Sequence, residues 1–233
     1  MRVAEHLGNP KKEKIYNIYS IEEISEMSFS CPNCALLMKA PNSTQQRPTL
    51  GIPDTKFVLL NDRAKMITKA PIRVIDLSLL ELHNSRTFWD IGACTGSVSI
   101  EARRQYPHLN IQAFEVREEC KDIIRANARL HSAPGIDLHI GNFLNLPIAE
   151  NAIVDAVFIG GHGGKLKEII CKVASHLDKL KGKIVFNSVS EESNKLFREA
   201  VEENDLKLHS EMNITVDSNN PITILCATGK YHV

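Results

Sequence analysis

The stretch from residue 88 to residue 97 constrains the fold of this chain most strongly. It reads FWDIGACTGS, an apolar run that passes into a glycine-containing turn and then into a predicted helix over 97–105. A second apolar run, residues 111–114, ends in Glu115. Glycine lets a backbone approach a ligand closely, a helix start has free N–H groups, and a carboxylate at the next strand tip can accept both ribose hydroxyls. The pattern predicts a nucleoside site, although the glycines could serve only tight packing of a structural turn.

The spacing of the turn residues separates two kinds of nucleoside site. Dinucleotide-binding turns read G-x-G-x-x-G, because pyrophosphate lies on the helix start. Here Asp90, Gly92 and Gly96 form the pattern D-x-G-x-x-x-G. This pattern resembles motif I of S-adenosylmethionine-dependent methyltransferases, usually D/E-x-G-x-G-x-G, with Cys94 in place of the middle glycine. The resemblance implies S-adenosyl-L-methionine as the cofactor, and the Cys94 side chain could crowd its methionine part.

Strands and helices are predicted to alternate along residues 68–230. The first predicted helix begins after a Thr68 cap. Further predicted helices cover 97–105, 118–131, 164–178 and 191–204, and Ser190 caps the last of them. The predicted strands cover 87–91, 111–115, 136–140, 153–159, 183–188, 206–214 and 222–227. Such alternation indicates a mainly parallel α/β sheet, while the short turn over 217–221 makes the last strand antiparallel. The order resembles the Rossmann-like, seven-stranded class I methyltransferase fold with its C-terminal antiparallel hairpin.

Ligands of parallel sheets collect at the carboxyl ends of the strands, so three further strand ends are candidate sites. Asn142 and Phe143 follow the third strand, where methyltransferases commonly place an acid for the adenine amino group. The Asn142 carbonyl could accept that bond, and Phe143 could pack on adenine or belong to the core. Asn187, near the end of the fifth strand, could line the substrate side.

The loop after the fourth strand holds four glycines around one histidine. Gly160, Gly161, Gly163 and Gly164 surround His162 and leave room for a bulky substrate. His162 could hydrogen-bond a substrate carboxylate or move a proton in catalysis, or it could be a solvent-facing loop residue.

The first 48 residues differ from the rest of the chain. They contain a possible helix near residues 20–27, a possible strand near 35–38 and a Pro-containing polar linker over 40–50. Cys31 and Cys34 form a C-x-x-C pair, but no second pair of zinc ligands follows at suitable spacing. We therefore expect no metal site.

Bulk composition narrows the partners that the chain can have. Lysine plus arginine and aspartate plus glutamate each number 28 in 233 residues, so the formal net charge is zero and a nucleic-acid partner is not expected. No apolar run is long enough for a bilayer, and residues 1–6 do not resemble a signal peptide. These features predict a cytoplasmic globular protein without a membrane partner.

Four segments resemble the cobalamin-pathway methyltransferases that act on precorrin-6 compounds. They are residues 51–57 with 66–69, the motif over 89–102, the loop 158–164, and Asn220-Pro221 before the last strand. That family usually has glycine where Cys94 stands and serine where His162 stands. The resemblance covers about residues 50–230.

The resemblance implies an enzyme similar to the C15-methyltransferase part of precorrin-6Y C5,15-methyltransferase (decarboxylating). Such an enzyme methylates carbon 15 of a tetrapyrrole, the corrin precursor, and removes the carboxyl group of the acetate on ring C; whether the substrate carries cobalt stays open. A homotetramer is also implied. On the family's pattern the cofactor would be held by Thr68, Gly92, Ala93, Cys94, Thr95, Gly96, Glu115, Asn142 and Phe143. The substrate side would be formed by Gly160, Gly161, His162, Gly163 and Asn187.

Residues 3–10 and 29–38 resemble the C-terminal end of the tetrapyrrole methylase domain that methylates position 5. The expected organisation is therefore a remnant of that domain plus a linker over 1–48 and a methyltransferase domain over 49–233. Without the cofactor-binding half of the first domain, methylation at position 5 is not expected. Two alternatives stay open: a methyltransferase for RNA or another small molecule, and a non-catalytic assembly protein.

Overall fold

The computed structural model describes residues 1–38, 49–63, 66–217 and 220–231, except the side chains of residues 21 and 62. The chain divides into two compact units, Met1–Arg47 and Pro48–Val233. The predicted linker over residues 40–50 lies almost entirely outside the described residues.

The part of the first unit that the structure describes, residues 1–38, is a small antiparallel sheet with one short helix. Its elements are β1 (Arg2–Glu5), β2 (Lys14–Asn17), α1 (Ile21–Ser25) and β3 (Asn33–Leu36), with sheet order β2-β1-β3. The sequence predicted α1 and a strand close to β3 but not the β1–β2 pair, whose strands have only four residues each. Cys31 and Cys34 are exposed free thiols. Among the described residues, no group of three His, Cys, Asp or Glu side chains could hold a metal ion.

Among its described residues, the second unit contains one seven-stranded sheet and five α-helices. The helices are α2 (Ala70–Leu79), α3 (Ser97–Gln105), α4 (Cys120–Leu130), α5 (Leu166–His176) and α6 (Glu191–Glu203). The strands are β4 (Thr87–Ile91), β5 (Asn110–Glu115), β6 (Ile136–Ile140), β7 (Ala156–Ile159), β8 (Lys183–Ser188), β9 (Leu206–Ile214) and β10 (Ile222–Gly229). Short 3-10 turns cover Asp54–Lys56, Leu60–Asp62 and Leu82–Asn84.

The strand order is β6-β5-β4-β7-β8-β10-β9. Neighbours from β6 to β8 pair in parallel, and β10 pairs antiparallel with both β8 and β9. The predicted parallel sheet with a C-terminal antiparallel hairpin is therefore confirmed. Because β4 and β7 are adjacent but separated in sequence, the chain changes direction across the sheet between them, which is where such sheets bind ligands.

Alternating side chains of the central strands fill two hydrophobic layers. Phe88 and Phe158 pack with α2 and α3 on one face, and Trp89 and Val157 pack with α5 and α6 on the other. A strand buried on both faces reads as a continuous apolar run, which is why the sequence predicted β4 and β7. β7 begins at Ala156, three residues later than the predicted strand over 153–159.

The start of α2 differs from the prediction. Thr68 is not its cap; Lys69 occupies the N-cap position and makes no side-chain cap hydrogen bond. The Asp54 side chain caps the helix instead, because Asp54 Oδ1 accepts the Ala70 N–H at 3.0 Å. Asp54 lies in a turn 16 residues before Ala70. The predicted cap of α6 is confirmed, because the Ser190 side chain accepts the Ser193 N–H.

Within the described part of the chain, no helix is both long and apolar enough to cross a membrane.

Candidate functional site

A cavity of about 730 Å³ opens at the carboxyl ends of β4, β7 and β8. Its walls come from the turn after β4, the turn after β7, the end of β8 and the residues that precede α2. The lining residues are Met66, Ile67, Thr68, Lys69, Asp90, Gly92, Ala93, Cys94, Thr95, Ser97, Val98, Arg117, Phe158, Gly160, Gly161, Asn187, Val189, Asn220 and Ile222.

The turns after β4 and β7 meet backbone to backbone. Gly92 has φ +78°, and a Cβ atom there would lie 2.5 Å from the Gly161 nitrogen. The Gly160 N–H donates to the Ile91 carbonyl at 2.8 Å, which fixes the two turns to each other. Gly92 is therefore required by the contact between the turns as well as by its position in the cavity wall.

Cys94 adopts a backbone conformation that favours glycine. Its φ is +51°, in the left-handed region, and its N–H donates to Glu115 Oε2 at 2.8 Å. The side chain is buried and packs near Cys120 and Ile124. Burial raises the pKa of the Cys94 thiol, so the neutral form is favoured at this wall of the cavity.

We expect Cys94→Gly to be more stable than Cys94→Ala by about 1 kcal/mol, because only alanine keeps a Cβ atom in the left-handed region. This order is the reverse of the usual one for glycine and alanine. Urea unfolding of the two purified variants measures the difference. If Cys94→Ala were the more stable variant, backbone strain at this position would be negligible.

The Glu115 carboxylate is fully engaged by neighbouring donors. Oε1 accepts the Arg117 N–H at 3.0 Å and Arg117 Nε at 2.8 Å, while Oε2 accepts Cys94 N–H and an Arg117 terminal nitrogen at 3.1 Å. Glu115 is 2% exposed and does not line the cavity, whereas Arg117 does. Burial raises the pKa of Glu115, but the bonds from Arg117 and Cys94 outweigh it and hold the pKa below its ordinary value.

Sequence reasoning missed Arg117. An arginine two residues after an acid at a strand end was the available signal, because that spacing permits the two-pronged ion pair seen here. The guanidinium covers the oxygens that a ribose would need, so a nucleoside can reach Glu115 only after Arg117 moves.

Two buried polar atoms beside the turn have no hydrogen-bond partner among the described residues. They are Asp90 Oδ1 and Thr95 Oγ1, and both residues line the cavity. The other Asp90 oxygen accepts the Ser99 N–H at 3.1 Å and the Ser99 hydroxyl at 2.6 Å, which ties the end of β4 to α3. Burial raises the pKa of Asp90 to about 6, although the Ser99 bonds oppose that shift. Unpaired buried polar atoms in a cavity wall suit a polar ligand.

Asn142 and Phe143 are not among the residues that line the cavity. Asn142 Oδ1 accepts the Leu144 N–H at 3.0 Å and so stabilises its own turn. Phe143 is buried in the core, with its ring centroid 5.0 Å from that of Phe114. Lys172 Nζ lies 5.0 Å from the Phe143 ring and donates to three carbonyls of the same turn.

The residues predicted for the substrate side divide into two groups. Gly160, Gly161 and Asn187 line the cavity, whereas His162 and Gly163 are not part of its lining. His162 Nδ1 accepts the Gly164 N–H at 3.2 Å, and burial lowers the pKa of its ring. Of the predicted cofactor residues, Thr68, Gly92, Ala93, Cys94 and Thr95 line the cavity. Gly96 does not; it is the N-cap residue of α3, with φ +73°.

The arrangement can hold a nucleoside ligand. The cavity lies at the start of α3, Thr95 and Asp90 offer unpaired polar atoms, and Glu115 stands behind Arg117 at the end of β5. One adjustment, movement of the Arg117 side chain, is needed to expose Glu115.

Comparison with known proteins assigns the second unit to a known protein family. The family of precorrin methyltransferase domains matches residues 60–225. All residues that line the cavity lie within this range. A cobalt-precorrin-6B C(15)-methyltransferase (decarboxylating) from Salmonella typhimurium is 35% identical over 127 residues, which is 54% of this chain and 64% of that protein.

Two further similarities agree with that match. A precorrin-6Y C(5,15)-methyltransferase [decarboxylating] from Sinorhizobium sp. is 31% identical over 158 residues, 67% of this chain and 37% of that protein. The crystal structure of precorrin-6y C5,15-methyltransferase from Geobacter metallireducens superposes with a TM-score of 0.70 at 32% identity, over 79% of this chain and all of that one. The chain thus spans less than two thirds of the length of both curated relatives.

Proposed function

The chain belongs to the family of precorrin methyltransferase domains, and on that premise we propose that it methylates a precorrin-6 intermediate at carbon 15 and removes a side-chain carboxyl group. The observation that carries the proposal is the cavity itself. It is built entirely from the segment that matches the family, on a sheet with the order and hairpin of class I methyltransferases.

S-adenosyl-L-methionine is the proposed cofactor, and when bound it supplies an activated methyl group. Thr68, Ala93, Cys94 and Thr95 would hold it, with Glu115 reached after Arg117 moves. The Gly92–Gly161 contact fixes the two turns that form adjoining parts of the cavity wall. The protein's main contribution is then to orient the reacting groups and exclude water, a proximity effect that needs no strong enzymic base.

The test is the mass of the product. The purified chain is incubated with S-adenosyl-L-methionine and a precorrin-6 substrate, with and without cobalt. The expected product has gained one methyl group and lost carbon dioxide. An unchanged substrate, in a preparation that also binds no S-adenosylhomocysteine in calorimetry, would exclude this function and favour a non-catalytic role.

We expect the Arg117→Ala variant to bind S-adenosylhomocysteine about tenfold more tightly. In the unmodified chain, binding breaks a charge-assisted hydrogen bond between Arg117 and Glu115, and the variant has no such bond to break. In contrast, the Glu115→Ala variant should bind S-adenosylhomocysteine at least about tenfold more weakly, because the ribose loses its hydrogen-bond acceptor. Calorimetric titration measures both.

Lys121→Ala is the matched control, since it removes a nearby cation whose ion pair with Glu118 is exposed. Its affinity should equal that of the unmodified chain. Weaker binding by Arg117→Ala would mean that the guanidinium contacts the ligand instead of competing with it.

Three further features belong to the same proposal. The unit Met1–Arg47 is proposed as the end of a tetrapyrrole methylase domain, on the sequence resemblance of residues 3–10 and 29–38. A tetrameric assembly is proposed on the family resemblance, and a cytoplasmic location is proposed on the composition of the chain.

A further inference from the structure

Asn187 lies on the part of the cavity away from the glycine turn of β4. It belongs to β8, which is separated from β4 by β7, so about 10 Å of sheet lies between them. Gly160 and Val189 line the same cavity. A nucleoside on the β4 turn leaves this part of the cavity to the second reactant.

The Asn187 side chain is held by a buried carboxyl group. Asn187 Nδ2 donates to Asp76 Oδ2 at 2.7 Å, and Asp76, on α2, is 0% exposed. Arg73, three residues earlier, gives its described hydrogen bonds to other groups. Burial raises the pKa of Asp76 well above its ordinary value, an effect that Asn187 and Arg73 oppose and Asp90 increases. Both protonation states keep an acceptor oxygen for Asn187.

The orientation of the Asn187 amide depends on this one bond. Asn187 Oδ1 and Asp76 Oδ1 are buried without a partner among the described residues. Burying a carboxyl group without a cation partner costs free energy that an apolar side chain on α2 would avoid. The Asp76 bond consumes one hydrogen of Asn187 Nδ2 and leaves the second for a ligand.

The proposed reaction supplies a ligand of matching chemistry. A substrate that is to lose carbon dioxide carries a carboxylate, and that carboxylate accepts hydrogen bonds. A neutral amide donor orients it without the strong ground-state stabilisation that lysine or arginine would give, which would oppose the loss of its charge as carbon dioxide.

We propose that Asn187 donates its second Nδ2 hydrogen to the substrate carboxylate that is lost, and that Asp76 is the positioning residue that holds the amide for this bond. The inference rests on the proposed function. In the step that it assists, the carbon–carbon bond to the carboxylate breaks and its electron pair enters the conjugated macrocycle. Carbon dioxide leaves, the electron pair then returns from the macrocycle to the side-chain carbon as that carbon takes a proton from water, and hydroxide remains.

Asp76→Leu, Asp76→Asn, Asn187→Ala and the double variant Asp76→Leu/Asn187→Ala test this arrangement. Carbon dioxide release and methyl incorporation are measured separately, and S-adenosylhomocysteine binding is measured by calorimetry. Asn187→Ala and Asp76→Leu should each slow carbon dioxide release about 10- to 100-fold, because the carboxylate is then no longer held in the orientation from which it is lost. The double variant should be no slower than Asn187→Ala, because Asp76 acts through Asn187.

Asp76→Asn separates positioning from charge, since its carbonyl still accepts from Asn187 Nδ2, and it should retain carbon dioxide release. Binding of S-adenosylhomocysteine should stay unchanged in all four variants. Additive losses in the double variant, an unaffected Asp76→Leu, or a parallel loss of S-adenosylhomocysteine binding would each overturn the inference while leaving the proposed function intact. An unmodified chain that neither binds nor reacts would overturn both. If Asp76→Leu does not fold, Asp76→Ala takes its place in the same measurements.

Discussion

Gly92→Ala is expected to lower the free energy of unfolding by about 3 kcal/mol. This loss is the sum of strain from the left-handed backbone conformation and overpacking against the Gly161 backbone, which cannot move aside as a flexible side chain could. The new Cβ atom would lie 2.5 Å from the Gly161 nitrogen and 2.8 Å from its carbonyl oxygen. The turns after β4 and β7 would have to separate, which also distorts the cavity wall that both of them form. Urea unfolding gives the stability, and calorimetry with S-adenosylhomocysteine gives the loss of binding.

Gly164→Ala is the matched control for this change. Gly164 has the same φ of +78° as Gly92, but a Cβ atom there would meet nothing within 4 Å. Its substitution should cost only the left-handed strain, about 1–2 kcal/mol. Equal losses in the two variants would mean that backbone strain, and not the contact between the turns, explains Gly92.

The sheet could be predicted from sequence because its strands follow simple rules. The central strands are apolar on both faces, the helices between them are long enough for parallel crossovers, and the last turn is too short for one. The glycine turn and Glu115 could be placed at neighbouring strand ends for the same reason. Phe143 could not be assigned, since an apolar residue at a strand end can face either a ligand or the core, and here it contacts Phe114 and Trp89.

Contacts between residues distant in sequence explain what the sequence did not predict. The helix cap that a local pattern assigned to Thr68 is provided by Asp54. Asn187 is held by Asp76, 111 residues away. Arg117 lies only two residues from Glu115, yet its role depends on a side-chain conformation that spacing alone does not specify.

The network around Arg73 links the residues before α2 to the rest of the second unit. Arg73 is 0% exposed; its Nε lies 3.1 Å from a Glu101 oxygen, and a terminal nitrogen lies 2.8 Å from Asp54 Oδ1. It also donates to the carbonyls of Ile52 and Thr68. Because Thr68 lines the cavity, this single side chain connects the buried core to the site.

Arg73→Met is therefore expected to lower the free energy of unfolding by about 3–5 kcal/mol, since it leaves the buried Glu101 carboxylate without its cation. Arg198→Met is the matched control: Arg198 also has two acidic partners, Glu191 and Glu211, but its side chain is 39% exposed. The control should lose less than about 1 kcal/mol, as exposed ion pairs do. Adding Glu101→Gln to Arg73→Met should recover part of the loss, because no buried charge is then unpaired. Urea unfolding of the three variants measures these differences, and equal losses in Arg73→Met and Arg198→Met would show that the buried network contributes no more than a surface ion pair.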